Sequence, residues 1–365
     1  MGAPFSAEAR QVDTVSAVLT LRGRLDAGAE PPLSDAHNQT RNRSTAVVAV
    51  DCTGLDFVDG SGLGLLVKLW SWTRTEGQAV RLFGLGERWE ALLRELGLHD
   101  ALPLFPGERE ALAGGPRGPT APSPGSGDVF RAVGWAVALG RARPGHPAQG
   151  FSQANVEGRR VQGPLQGFGQ LWHKTYRTRL SGVTVSPGEV GRVFREHLGE
   201  LWPEGNQLYL PPPGVVPGAV GAIHLRMPGG VPLDTGVRVL HADAASFTLA
   251  TLEGHLQAGW ITFGAYDTGD CTAAQVQSLG RTGDPLYELG FRLFGHAQQE
   301  HFWGATLAAL GSRLGVAVRV EAVKDLLDPG LNWAAAPNLW RNAGLRTGLQ
   351  AAAAGVGRLL SAGRR

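Results

Sequence analysis

The segment DGSGLG, from Asp59 to Gly64, combines residue types that could carry chemistry. Ser61 follows an apolar run and an acidic turn, and it precedes apolar residues at helical spacing, so we expect it at the start of a helix. The free N–H groups of a helix N-terminus favour a negatively charged group there. Glycines on both sides of Ser61 permit close approach by another backbone. The alternative is structural: Ser61 caps the helix, and the glycines pack it tightly on a sheet.

Signatures of enzymes and metal sites are missing from the sequence. It contains no GxSxG, Walker A, HExxH or CxxC motif. His241, His296 and His301 do not share a metal-ligand spacing, and Cys52 and Cys271 are the only cysteines. The sequence therefore predicts no catalytic residue, no metal ligand, no cofactor and no enzymatic activity.

Length and composition limit the remaining classes. A chain of 365 residues with 43% hydrophobic residues indicates two or three globular domains. A net charge of +2 gives no field that would favour direct binding of nucleic acid. Residues 1–10 lack the apolar core of a signal peptide, and no apolar run approaches the ~20 residues of a membrane span. These features predict a cytoplasmic protein without a transmembrane segment.

Strand and helix signals alternate in the first 110 residues. The runs 15–21, 46–51 and 79–83 are typical of strands, and apolar spacing predicts helices over 63–72 and 89–96. This order predicts a small α/β sandwich. The stretch AGGPRGPTAPSPGSG that follows has no apolar residue larger than alanine, so it cannot bury enough surface to offset its ordering entropy. We therefore predict a flexible linker, two independent units and tryptic cleavage at Arg117.

The N-terminal unit resembles the STAS domain, the anti-sigma factor antagonist family. The resemblance covers most of residues 8–107 and rests on LRGRLD, VVAVDCTGLDFVDGSGLGLL, VRLFGL and ERWEALLRELGLHDALPLF. It implies that Ser61 is the phospho-acceptor of a serine-kinase anti-sigma factor, and that the partner binds Asp59, Gly60, Ser61, Gly62, Leu63 and Gly64. A phosphate would act as a charge switch, adding roughly −1.5 to −2 charge. The segment PPLSDAHNQTRNRS departs from the family pattern, because it is polar where an amphipathic helix is expected.

The C-terminal unit combines a helix start, several short strands and a long late helix. Ser186-Pro187-Gly188-Glu189 predicts a capped helix, strand candidates lie between 205 and 281, and Asp284-Pro285 predicts a second helical region. This order is that of the α+β helix-grip architecture. The stretches GPLQGFGQLWHKTYR and TLEGHLQAGWITFGAY resemble an uncharacterised bacterial family of SRPBCC (START-like) ligand-binding domains.

Two features of this unit leave alternatives open. His255 lies in a predicted hairpin tip, where it could line a cavity mouth or only serve the turn around Gly254. The numerous aromatic residues could line an apolar cavity or fill a core; they are Trp135, Phe168, Trp172, Trp202, Trp260, Phe263, Trp303 and Trp333.

The sequence thus predicts four regions: a STAS domain over 1–110, a linker over 111–127, a START-like domain over 128–341 and an Ala/Leu-rich helix over 342–365. The predicted function is that of an anti-sigma factor antagonist controlled by phosphorylation of Ser61, with a C-terminal domain that senses an apolar ligand. One alternative is a lipid- or hydrophobe-binding or transfer protein that uses the STAS unit for docking. Another is an enzyme built on the START-like scaffold.

Overall fold

Two β-sheets, one from each half of the chain, organise the fold. The computed structural model describes residues 4–41, 44–120, 134–136, 139–143, 155–227, 230 and 232–348. The N-terminal sheet has the order β1-β2-β3-β4-β5, in which β1 is antiparallel to β2 and the other pairs are parallel. Its strands are β1 (Ser6–Gln11), β2 (Ser16–Leu25), β3 (Val47–Val58), β4 (Ala79–Phe83) and β5 (Leu104–Phe105).

Helices cover both faces of this sheet. They are α1 (Glu30–Thr40), α2 (Gly60–Thr75), α3 (Glu87–Glu95) and α4 (Glu108–Ala113). Alternation along β2 sends Leu19 into the core shared with α1, α2 and α3, and Val18 into a smaller cluster with Ala111 of α4. The predicted α/β sandwich is confirmed, and its parallel strands read as apolar runs because both faces are covered.

The helix α1 corrects one expectation. The polar segment PPLSDAHNQT forms a regular helix of 11 residues together with Glu30, whereas its polar and poorly periodic sequence predicts a short or frayed helix. Its inward positions are Leu33, Ala36, His37 and Thr40. His37 stacks on Trp72 of α2 with ring centroids 5.4 Å apart. Polar residues thus occupy much of the buried stripe, which is why apolar spacing did not reveal it.

The C-terminal half forms one sheet of eight strands whose adjacent strands are all antiparallel. Its order is β13-β6-β12-β11-β10-β9-β8-β7. The strands are β6 (Leu171–Arg179), β7 (Gln207–Tyr209), β8 (Val220–Arg226), β9 (Pro232–Ala242), β10 (Ser246–Thr251), β11 (Gln257–Asp267), β12 (Thr272–Thr282) and β13 (Glu321–Asp328).

Two long helices cover the inner face of this sheet. They are α5 (Pro187–Leu201) and α7 (His296–Arg313), with the short helix α6 (Pro285–Gly290) and a π-helical turn (Phe291–Gly295) leading into α7. Ser186 and Glu189 form the predicted capping box of α5, and Asp284 caps α6. Phe194 of α5 and Leu307 of α7 pack with inward strand residues such as Phe263 in one core.

The outer face of the same sheet packs against the STAS half. One hydrophobic core contains Leu25 and Leu66 of the N-terminal half together with Trp260 and Leu279 of the C-terminal sheet. All eleven residues of β12 are buried, because α2 covers one face and the helices cover the other. The two halves therefore pack against each other in the described residues, and the division of the chain into independent units stays a prediction.

The predicted linker begins as ordered structure. Its described part, residues 111–120, includes the end of α4 and then lies along the STAS half: Gly118 donates its N–H to the carbonyl of Leu104, and Thr120 to that of Leu85. Residues 121–127 lie outside the described residues. Of the predicted C-terminal helix over 342–365, residues 343–348 are helical and the rest also lie outside the described residues.

Candidate functional site

The DGSGLG segment forms the first turns of α2. Asp59 is the N-cap residue, and its Oδ1 accepts a hydrogen bond of 2.9 Å from the N–H of Gly62. The helix begins at Gly60, so Ser61 lies in the first turn and is not the N-cap residue. Gly62 lies so close to the backbone of Leu25 that a Cβ would be 1.9 Å from its carbonyl oxygen. Tight packing of α2 on the STAS sheet therefore explains the glycine at position 62.

Ser61 is buried, with 1% of its surface exposed. Its Oγ accepts a long hydrogen bond of 3.5 Å from Nε2 of Gln275 on β12. The outer face of the C-terminal sheet covers this serine. The assignment of Ser61 as a phospho-acceptor stays a prediction.

Gly60 makes a close approach between the two halves. Its carbonyl oxygen accepts a hydrogen bond of 3.0 Å from the indole N–H of Trp260 on β11. A Cβ at Gly60 would lie 2.1 Å from Oγ1 of Thr248 and 2.5 Å from Oγ1 of Thr262. Glycine is therefore required at position 60 by threonine side chains of the sheet, which belongs to the same chain.

Further along α2, the side facing the sheet carries small and polar residues. They are Gly60, Ser61, Gly64, Lys68 and Ser71. Ser71 donates to the carbonyl of Leu327 at 2.6 Å. This spacing of three or four residues marks a second helix face, opposite the apolar one that packs on the STAS sheet.

An ionic cluster joins the middle of α2 to the sheet edge. Lys68 Nζ contacts Oε1 of Glu30 and Oδ2 of Asp325, each at 2.5 Å, and His173 Nδ1 lies 3.7 Å from the same Asp325 oxygen. Burial alone would raise the pKa of Asp325, but the His173 and Lys68 contacts lower it to about 2. The lysine is thus held charged between one carboxylate of each half.

Carboxylates converge at the start of α2. Asp59, Asp26 of the loop after β2, and Asp243 of the β9–β10 turn approach one another, and Arg24 contacts both Asp26 at 3.3 Å and Asp243 at 3.8 Å. Burial, and then repulsion by Asp26 and Asp243, raises the pKa of Asp59 to about 7, although the Gly62 N–H and the Ser246 side chain oppose the rise. The environment of Asp59 is therefore unfavourable for additional negative charge.

A cavity of about 440 Å³ lies on the opposite side of the sheet. It is lined mainly by apolar side chains from the inner sheet face, the end of α5, α6, the π-helical turn and α7. Of the aromatic residues considered from the sequence, Trp202, Trp260, Phe263 and Trp303 line it. Trp333, by contrast, is 70% exposed.

His255 also lines this cavity, in the turn where Gly254 adopts φ +94°. Burial lowers its pKa to about 4, so the imidazole is neutral at pH 7. Both interpretations of His255 thus hold: it belongs to the turn and it contributes to the cavity wall. Within the described ranges, no three His, Cys, Asp or Glu side chains are grouped as metal ligands would be.

The family-model comparison concerns the N-terminal half. The family model of the STAS domain matches residues 6–111. Residues 6–111 form a STAS domain. The anti-sigma-B factor antagonist of Listeria monocytogenes serovar 1/2a is 27% identical over 100 residues, which cover 27% of this chain and 88% of that protein. These findings confirm the STAS assignment and support, at low identity, a general signalling role of the antagonist kind.

Solved structures give partial likenesses. An anti-sigma factor antagonist from Mycobacterium paratuberculosis is 20% identical and matches 30% of this chain and 93% of its own, with a TM-score of 0.27. Protein NE0264 from Nitrosomonas europaea is 14% identical and matches 39% of this chain and 94% of its own, with a TM-score of 0.30. The START-like assignment of the C-terminal half stays a prediction. No helix among the described residues is long and apolar enough to cross a membrane.

Proposed function

We propose that this protein is a non-enzymatic regulator with two linked activities. Its STAS domain binds an anti-sigma factor of the serine-kinase type through Asp59 to Gly64, under control of Ser61 phosphorylation. Its C-terminal domain has the START-like helix grip and binds an apolar ligand. The observation that carries the proposal is that one sheet serves both sites: its outer face covers Ser61, and its inner face forms the cavity.

Burial of Ser61 determines how the switch operates. With 1% of the residue exposed, a kinase, a phosphatase or a partner protein reaches Ser61 only after α2 separates from β12. A phosphate would bring roughly −1.5 to −2 charge next to Asp59, whose own ionisation is already disfavoured. Phosphorylated Ser61 is therefore incompatible with the docked state, in which α2 packs against β12. Docking of α2 on β12 thus competes with binding of the partner protein.

The arrangement of the C-terminal half supports ligand binding. The strands from β6 to β7 follow one another as β6-β12-β11-β10-β9-β8-β7, with α5 and α7 against the inner face, an arrangement that supports the proposed helix grip. The cavity between them has the size and apolar lining of a small-molecule site.

The test of the switch uses the full chain as bait in a lysate of its native organism. Titration calorimetry then compares wild type, Ser61→Ala and Ser61→Asp against the recovered anti-sigma factor. We expect Ser61→Ala to bind at least as tightly as wild type, because the lost hydrogen bond is long. Ser61→Asp should bind more weakly to the partner, because its carboxylate beside Asp59 must also lose water inside the partner interface, a cost that we expect to exceed the gain from weakened docking. The control is Ser312→Asp, which adds the same charge at an exposed position of α7.

Two results would contradict the switch. One is equal affinity of phosphorylated and unmodified protein for the recovered partner. The other is an equal effect of Ser61→Asp and Ser312→Asp, since a charge at an exposed site remote from α2 should leave binding unchanged. Either result would leave Ser61 as a buried structural residue of the contact between the halves.

The apolar cavity also favours a second candidate, a lipid- or hydrophobe-binding protein that uses the STAS domain only for docking. Leu286 and Phe294 line the cavity and are 47% and 64% exposed, so its mouth presents apolar surface to the outside. Recovery of a membrane complex or transporter with the bait, in place of an anti-sigma factor, would favour this candidate.

A further inference from the structure

Several polar side chains of the cavity wall already have partners within the protein. Thr251 Oγ1 accepts a hydrogen bond from the N–H of Gly259 at 3.1 Å, and His255 Nδ1 accepts one from the N–H of Gln257 at 3.0 Å. The polar end of a ligand would have to displace such a hydrogen bond, which costs free energy. The interior of the cavity therefore suits the hydrocarbon part of a ligand, and a polar end is better placed at the edge.

Arg226 lies at that edge. It is the last residue of β8, it is exposed, and it is the one charged side chain among the residues that line the cavity in the described chain. Its N–H donates a hydrogen bond of 3.0 Å to Oδ1 of Asn206, another cavity residue. Its side chain lies over Gly205, where a Cβ would be 3.3 Å from the arginine Cδ and 3.5 Å from a guanidinium nitrogen. The turn that forms this wall thus also places the guanidinium group beside the cavity.

The guanidinium group of Arg226 is available to an anion from outside the chain. Among the described residues, no carboxylate forms an ion pair with it: Asp234 of the neighbouring strand contacts His224 at 2.7 Å, and Glu204 beside the turn forms no ion pair. An exposed and unpaired arginine is ordinary on a protein surface. Its position at the edge of an apolar cavity is what points to a ligand, because a guanidinium group binds a carboxylate through two parallel hydrogen bonds.

A second cation near the cavity does not serve this purpose. Lys174 is fully buried and does not line the cavity, and its ammonium group contacts Oε1 of Gln299 at 2.7 Å and lies 4.5 Å from the ring centroid of Phe291. Burial lowers the pKa of Lys174 to about 7. A carboxylate drawn into the cavity would therefore lose its hydration without reaching a cation, which is unfavourable. At the edge, a carboxylate keeps part of its hydration and meets Arg226.

We propose that the cavity binds an amphipathic carboxylate, with its hydrocarbon chain inside and its carboxylate paired with Arg226 at the edge. This inference rests on the proposed function, in which the cavity is the apolar-ligand site, and it specifies the ligand's headgroup. A headgroup with one negative charge matches the one cation of the lining. Apolar walls such as Leu249 and Phe263 contact the hydrocarbon chain.

The experiment is equilibrium dialysis of three probes with the same ten-carbon chain against the full-length protein at pH 8. The probes are decanoate, 1-decanol and decylammonium, whose headgroups are negative, neutral and positive. At this pH the amine of Lys174 is largely neutral, so the measured effect of charge belongs to Arg226. The measured quantity is the affinity for each charged probe divided by the affinity for decanol.

Arg226→Gln removes the charge and keeps a polar side chain of similar length. The affinity for decanoate relative to decanol should fall by about two- to fivefold, the effect of an exposed ion pair, while the relative affinity for decylammonium rises. Arg226→Lys should keep most of the preference for decanoate. The matched control is Arg192→Gln, which removes the same charge from an exposed position of α5 that does not line the cavity.

The outcomes separate this inference from the proposed function. An unchanged ratio of decanoate to decanol in Arg226→Gln, or an equal fall in Arg192→Gln, overturns the role of Arg226 and leaves binding of an apolar ligand intact. A similar loss of affinity for all three probes in Arg226→Gln also overturns it, since it indicates a damaged cavity. Failure of all three probes to bind wild type overturns both the inference and the apolar-ligand site. A fall confined to decanoate, with decanol unchanged within about twofold, supports the inference.

Discussion

Gly60→Ala perturbs the contact between the two halves at the start of α2. The added methyl would lie 2.1 Å from Thr248 Oγ1 and 2.5 Å from Thr262 Oγ1, both closer than carbon and oxygen atoms approach without displacement. Neither hydroxyl can withdraw freely, since the two are hydrogen-bonded to each other at 3.1 Å and both residues are buried. We therefore expect α2 and the sheet to separate.

The magnitude follows from three contributions. Overpacking of this kind costs about 1–3 kcal/mol. Displacement of Gly60 also weakens the 3.0 Å hydrogen bond from Trp260, worth about 1 kcal/mol. Alanine in a helix offsets up to about 1 kcal/mol relative to glycine. The net loss of about 1–3 kcal/mol shifts the docked equilibrium by about 5- to 150-fold.

Hydrogen exchange of peptides from α2, read by mass spectrometry, measures this shift. Faster exchange is expected for the first turns of α2 in Gly60→Ala than in wild type. The matched control is Gly64→Ala on the same helix, whose methyl would meet Gln277 Oε1 at 3.4 Å, an ordinary contact. Gly62→Ala provides the opposite comparison: its methyl would clash with the STAS backbone itself and should unfold that domain. Identical exchange in the Gly60 and Gly64 variants would refute the docked arrangement.

Two further predictions concern charge. Asp325→Asn should lower the free energy of unfolding by about 1–2 kcal/mol, a value discounted for partial exposure, because the variant leaves Lys68 with one carboxylate. The control Lys324→Met removes an exposed ion pair within the C-terminal half and should cost less than about 0.5 kcal/mol. Denaturant titration measures both variants. The pKa of Asp59 is raised to about 7, so the folded state holds a proton that the unfolded chain has lost, and stability should fall as pH rises from about 4 to about 7. Asp59→Asn should remove this component, and parallel stability profiles of the two proteins between pH 5 and 8 would contradict it.

Local patterns predicted much of the fold. The capping box at Ser186, the strand over 79–83 and the helix start at DGSGLG all depend on neighbours in sequence, and each is found where expected. The α1 helix was not foreseen as regular, since His37 and Thr40 supply part of its buried face. Apolar periodicity does not reveal a buried helix face when several of its residues are polar.

The contact between the halves could not be predicted in the same way. The strand TAAQVQSLGRT of β12 reads as half-solvated, yet every residue is buried. Its Gln275 and Gln277 face α2 and satisfy their amides against side chains such as Ser61 and Thr175. The polar part of this contact leaves no apolar patch in the sequence, and the Gly/Pro/Ser stretch between the halves gave no indication of the contact. The sequence signal for this contact is the row of small and polar residues along α2. That row indicates a contact only once the opposing surface is known.

Trp260 joins the two sites on which the proposed function depends. Trp260 lines the cavity, and its indole N–H donates a hydrogen bond to the carbonyl of Gly60 at the start of α2. A ligand alters docking only to the extent that it binds the docked and undocked states with different affinity. By linkage, any partner that captures α2 in the undocked state then changes ligand affinity by the same factor. A ligand that requires Trp260 in its present position would favour the docked state and oppose partner binding, whereas one that displaces the indole would release Gly60 and expose Ser61.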